Sequence, residues 1–175
     1  MDLRKKVLSE TALFYGHFKM PKAYEKDWYI DRDTLAADIL VSETQGTPFP
    51  YSKVWDMLNT YIREHMQRYH EISLSNIKFW GNIYKPNEIS KPKLHLNYAN
   101  LDNSPDWVSL YGVKVEECMI RLYYDDNKRK GLYWEIPLRN NEFIIFPSTC
   151  MYYLTNHQKE SLNLVQTTTY EEMKF

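Results

Sequence analysis

Apolar residues change their spacing once along this chain, near Ile72, and that single change restricts the folds open to it. Ahead of it, over residues 51–70, Val54, Trp55, Leu58, Tyr61, Ile62, Met66 and Tyr69 recur at steps of three and four. That period places them on one face of a helix, and Ser52 stands where an N-cap belongs. A shorter helix is expected to follow Asp31 or Asp33 through Thr34, Leu35, Ala37, Asp38 and Ile39, with Gly46, Pro48 and Pro50 closing the link to the longer one. Residues 12–20 read as a strand or extended arm.

Behind Ile72 the helical period disappears. Residues 76–84, 113–124, 132–138, 142–148, 151–155 and 161–170 are short runs rich in β-branched and aromatic side chains. The links DDNKRKG at 125–131 and RNN at 139–141 are turn material, so the strands they join should be antiparallel hairpin partners. Aromatics make up 15% of the chain, with 15 Tyr and 5 Trp against only 5 Gly, which suits pleated, half-buried surfaces and pocket walls. The expected fold class is α+β, mainly β. It is an antiparallel jelly roll with N-terminal helices packed on one sheet, formed as a single domain over residues 1–175, with a helical lead-in at 1–71 and a β core at 72–175.

Charge and motif content exclude several functions. With 22 Lys and Arg against 23 Asp and Glu, the net charge is -1, so the basic field that phosphate binding requires is missing and no nucleic-acid partner is expected. The apolar run at 143–146 is four residues long, and nothing approaches the ~20 needed to cross a bilayer. The start MDLRKKVLSE lacks a signal-peptide core, which makes a cytoplasmic location the expectation. Cys118 and Cys150 have no CxxC spacing and read as a reduced, buried pair. Glycine-rich phosphate loops, GxSxG elbows and HExxH helices are also lacking. His65 and His70 are five apart, off a common helix face, and Lys128, Arg129 and Lys130 read as a solvated hairpin tip.

Chemistry concentrates at His95, in KPKLHLNYAN. At strand spacing, the HLN tripeptide points His95 and Asn97 to one face, an arrangement that suits a metal. An imidazole is a good iron ligand, whereas a neutral Asn amide is a weaker one than the carboxylate of a facial triad. The other reading is a hydrogen-bonded His and Asn near a strand end.

The stretch WGNIYKPNEISKPKLHLN (80–97), followed by NNEFIIFPSTCMYYLTNHQKESLNLVQ (140–166), resembles a subfamily of 2-oxoglutarate/Fe(II)-dependent oxygenases common in marine bacteria and phages. In that subfamily a W-x-N-x-Y strand leads to an H-x-H or H-x-D ligand segment. A later G-x-x-x-x-F-P-S strand carries the distal His, and an Arg for 2-oxoglutarate follows on the next strand. The resemblance implies a double-stranded β-helix, cupin-like in form, with Fe(II) and 2-oxoglutarate as cofactors. By matching positions, the metal site would comprise His95, Asn97 in the second ligand's place and Tyr152 in that of the distal His. Tyr84 and Ser161 fall at cofactor-binding positions, Ser161 where the Arg is expected. Arg121 is a replacement anion partner on a strand whose Glu117, Met119, Arg121 and Tyr123 face alternates with Cys118, Ile120 and Leu122; its other reading is a solvated cation paired with an acid. His157 is an alternative distal ligand, although TNHQKES reads as a turn that projects outward.

Two functions follow from the resemblance. The first is an oxygenase-like domain degenerate in its iron site, binding a small molecule or a protein partner through an aromatic pocket of Trp80, Tyr84, Tyr98, Trp134 and Tyr152, with a homodimer as a candidate assembly. The alternative is an active dioxygenase with an unusual ligand set.

Overall fold

Asp31 and Ser52 start the two helices by the same device. In the computed structural model, which describes residues 11–18, 30–124 and 133–174, the Asp31 carboxylate accepts the backbone N–H groups of Asp33 and Thr34 at 3.1 Å each. Ser52 Oγ accepts that of Trp55 at 3.2 Å. Each satisfies donors that the first helical turn leaves without partners. Helix α1 (Arg32–Gln45) runs past Ile39 until Gly46, which takes the left-handed conformation at φ 62°. Helix α2 (Lys53–His70) buries Trp55, Leu58, Ile62 and Met66 of the expected face together with Asn59, while Tyr69, at its C-terminal end, is exposed.

The described residues hold eight strands: β1 (Phe14–His17), β2 (Leu74–Tyr84), β3 (Trp107–Lys114), β4 (Cys118–Tyr123), β5 (Tyr133–Leu138), β6 (Glu142–Pro147), β7 (Met151–Asn156) and β8 (Asn163–Glu172). They form a five-stranded sheet in the order β1-β6-β3-β8-β2 and a three-stranded sheet in the order β5-β4-β7. Every pairing between them is antiparallel. The antiparallel expectation holds, but the RNN turn at 139–141 joins no hairpin: it carries the chain from β5 in one sheet to β6 in the other, where β6 pairs with β1 and β3.

Residues 113–124, read from sequence as one strand, are two. Strand β3 begins at Trp107, and the chain turns at 115–117 before β4, with Glu117 at φ 45°. Distant side chains hold that corner. Asn140 Oδ1 accepts the Val115 N–H at 2.8 Å, while Asn163 accepts the Glu116 N–H at 2.9 Å and donates to the Glu116 carbonyl at 3.0 Å. The link 125–131, together with Lys19, Met20 and Leu132, lies outside the described residues.

Alternation along the large sheet divides the core in two. Val108, Leu110, Ile144, Phe146 and Val165 face the small sheet, where they meet Cys118, Ile120, Leu122, Tyr152 and Leu154. Tyr111, Val113, Phe143, Ile145, Leu164 and Tyr170 face the helices. Phe79 stacks on Trp55 with ring centroids 3.8 Å apart, and a Cβ on Gly81 would lie 2.4 Å from Ile39 Cγ1. Helix α1 can therefore sit close on β2 only because position 81 has no side chain.

The small sheet gains a partial fourth edge. Residues 89–93 lie along β7 through the isolated bridges Ile89 to Thr155 and Lys93 to Tyr152. Ser90 donates its backbone N–H to the Leu154 carbonyl at 2.8 Å and accepts the Leu154 N–H on its Oγ at 2.9 Å. Among the described residues no helix is long and apolar enough to cross a membrane.

Candidate functional site

Strand β2 supplies one wall of the site. Trp80, Asn82 and Tyr84 alternate onto its inner face, and Thr167 lies opposite Trp80 on β8. The facing wall is Tyr152 on β7, with Lys93 and His95 on the segment bridged to it. His95 Nε2 lies 2.9 Å from the Tyr152 hydroxyl, and its ring is 5.4 Å from that of Trp80. Lys93 reaches across from one sheet to the other: Nζ donates to Asn82 Oδ1 at 3.0 Å and to the Tyr84 hydroxyl at 2.8 Å, with Nζ 5.0 Å from the Tyr84 ring centroid. Asn82 Nδ2 in turn donates to Thr167 Oγ1 at 2.8 Å. A polar line thus runs along the inner edge of both sheets, within an otherwise apolar core.

Burial sets the protonation of this group. It pushes His95 down to about 4, helped by the neighbouring Lys93 charge, so the imidazole is neutral at pH 7. Burial also raises the phenols of Tyr84 and Tyr152, which stay protonated. It lowers Lys93, against the opposing charges of Glu88 and Glu43. The salt bridges among the described residues, Arg121 to Glu135 and Arg139 to Glu142, both involve other groups, so Lys93 has no carboxylate within 4.0 Å.

The other residues named from sequence lie elsewhere. HLN is not a strand: after Lys93 the chain leaves β7, and Asn97 is exposed, its Oδ1 accepting the backbone N–H groups of Ala99 and Asn100 at 3.1 and 3.3 Å. Arg121 projects from the outer face of β4, 3.5 Å from Glu135 and stacked over the Tyr133 ring at 4.5 Å. Ser161 is exposed ahead of β8, where its carbonyl accepts from Asn156 Nδ2 at 2.8 Å. His157 is exposed, with Nε2 2.9 Å from Thr155 Oγ1. Tyr98 is 75% exposed; Trp134 is 53% exposed on edge strand β5, separated from Tyr152 by Leu122.

Of the expected site residues, His95, Tyr152 and Tyr84 come together. Lys93, Asn82 and Thr167 join them without having been singled out. Asn82 was legible, since it is the middle position of W-x-N-x-Y and shares a face with Trp80 and Tyr84; Lys93 stands two residues before His95. Thr167 carries no local signal.

This donor set does not fit Fe(II). His95 Nε2 is engaged with a phenol, the other groups around it are neutral amides and hydroxyls and the Lys93 ammonium, and Asn97 is committed to its turn. Among the described residues no three His, Cys, Asp or Glu side chains converge as a metal site would require.

No family model matches the chain, and no curated protein does. Solved structures match it in fold. A Pseudomonas putida prolyl-4-hydroxylase superposes with a TM-score of 0.62 at 11% identity, over 93% of this chain and 89% of that one. The viral collagen prolyl hydroxylase of Paramecium bursaria Chlorella virus-1, solved as a 2-oxoglutarate complex, gives a TM-score of 0.58 at 14% identity, over 83% and 90%. The chain shares the two-sheet, double-stranded β-helix fold of these prolyl hydroxylases, with two N-terminal helices on its larger sheet, as its sequence leads one to expect. At these identities the likeness is one of fold.

Proposed function

We propose that this chain is an oxygenase-fold domain that binds a small molecule at the inner edge of its two sheets, without iron chemistry. One observation carries the reading: the ring nitrogen of His95 is held by Tyr152. A neutral imidazole beside a buried, protonated phenol offers no anionic oxygen, so Fe(II) would gain little of the charge attraction that a triad carboxylate provides. The groups that remain, Trp80, Asn82, Tyr84, Lys93 and Thr167, are aromatic and hydrogen-bonding, the mixture that ligand sites use to combine apolar contact with orientation.

Anaerobic Fe(II) titration followed by a 2-oxoglutarate turnover assay tests this. The expected result is no stoichiometric iron and no succinate. Succinate release abolished by His95→Ala would overturn the proposal and establish a dioxygenase with an unusual ligand set.

A further inference from the structure

We infer that the outer face of the three-stranded sheet is an interaction surface, and that its partner is a second copy of this chain. The inference lies apart from the ligand site and does not depend on it. Helices α1 and α2 pack on β2, β3 and β8 of the large sheet. The small sheet lies on the other side of the large one from them. Its Cys118, Ile120 and Leu122 point into the core, which turns Met119, Arg121 and Tyr123 outward, and Tyr133, Glu135 and Pro137 are exposed on the same face. A sheet face left to water is normally polar. This one is not: β4, β5 and β7 together contain one cation, Arg121, and one anion, Glu135, in a chain that is 26% charged.

The aromatic groups on this face are already arranged. The Tyr123 ring centroid lies 5.6 Å from that of Tyr133 and 5.5 Å from that of Tyr153, and the Arg121 guanidinium sits 4.5 Å over the Tyr133 ring. Rings that hold one another lose little freedom when a partner covers them, and Tyr, Met and Arg are the residues that interface cores favour. The two charges indicate which partner fits. Arg121 and Glu135 stand opposite each other on β4 and β5, yet they meet through a single 3.5 Å contact, and Arg121 Nε is buried with no hydrogen-bond partner among the described residues. A face with one charge of each sign suits neither an anionic nor a cationic surface, but it complements itself. A two-fold axis running between β4 and β5 along their length lays Arg121 over the partner's Glu135 and Tyr123 over the partner's Tyr133, each twice. Such a contact closes at two chains.

Sedimentation velocity on the full chain, from about 1 to 100 μM, tests the inference. A species of twice the 21.1 kDa chain mass is expected. Arg121→Glu and Glu135→Arg should each raise the dimer dissociation constant by about tenfold or more, because each sets like charges against one another, and the variant carrying both changes should recover the dimer. Tyr133→Ala removes an exposed ring without opening the core and should weaken the dimer to a similar extent. If a charge variant fails to fold, Tyr133→Ala decides alone. A chain that stays monomeric at the top of that range, a dimer indifferent to Arg121→Glu or to Tyr133→Ala, or a charge-swapped double variant that folds and stays monomeric would overturn the proposed surface.

Discussion

The imidazole of His95 and the hydroxyl of Tyr152 meet at 2.9 Å, although 57 residues separate them in the chain. The backbone brings them together. Lys93 donates its N–H to the Tyr152 carbonyl at 2.9 Å and accepts the Tyr152 N–H at 3.0 Å, which fixes the register of the segment that carries His95. The pair therefore depends on the edge pairing that residues 89–93 provide.

Removing the hydroxyl should expose how much the fold depends on this pair. Tyr152 is fully buried, and Tyr152→Phe leaves its ring packed against Phe146 while His95 Nε2 loses its partner. A loss of about 1–3 kcal/mol is expected, the usual cost of stranding a buried polar group, read from urea unfolding. Unchanged stability would mean that water replaces the phenol.

Stability should depend on pH through His95. Its folded value is held near 4 by burial and by Lys93, against about 6.5 in the unfolded chain. Between those values the unfolded state binds the extra proton, so stability rises with pH across that window and falls as pH drops from about 6.5 toward 4. One proton limits the slope to about 1.4 kcal/mol per pH unit, and partial solvent access to His95 reduces it further. His95→Gln should flatten the slope in urea unfolding at pH 4.5, 5.5 and 7; a variant with the wild-type slope would assign it to another group.

Position 81 should tolerate nothing larger than glycine. Gly81→Ala would place Cβ 2.4 Å from Ile39 Cγ1 and 2.9 Å from its Cβ, and Ile39 is fully buried, so α1 or β2 must shift. The expected cost is about 1–3 kcal/mol, typical of overpacking. A paired Gly81→Ala and Ile39→Ala variant should be less destabilised than the two single effects summed, because the second change removes the clash the first creates.

Much of this architecture is written in local pattern. The three- and four-residue steps of α2 name its buried face, and the alternation of Cys118, Ile120 and Leu122 names the inner face of β4. The corner at 115–117 is not legible in the same way, because Asn140 and Asn163 hold it from 25 and 47 positions away. The resemblance of 80–97 and 140–166 to an oxygenase subfamily singles out His95 and Tyr152, and the two side chains do meet. Asn97 shows the limit of that method: its place in the tripeptide matches a ligand, yet its amide completes a local turn. Lys93 stands two residues before His95, yet its contacts to Asn82 and Tyr84 show only once β2 and the 89–93 segment face each other.

The asparagines at the 115–117 corner also bear on the order of assembly. The protein partner of both the Glu116 N–H and its carbonyl there is Asn163, the first residue of β8. A chain synthesised only as far as β7 therefore has every strand of the small sheet, yet the bend leading into that sheet is still unlatched. Strand β8 also fills the gap between β3 and β2, so its docking completes the large sheet and locks the passage to the small one in a single late, long-range event.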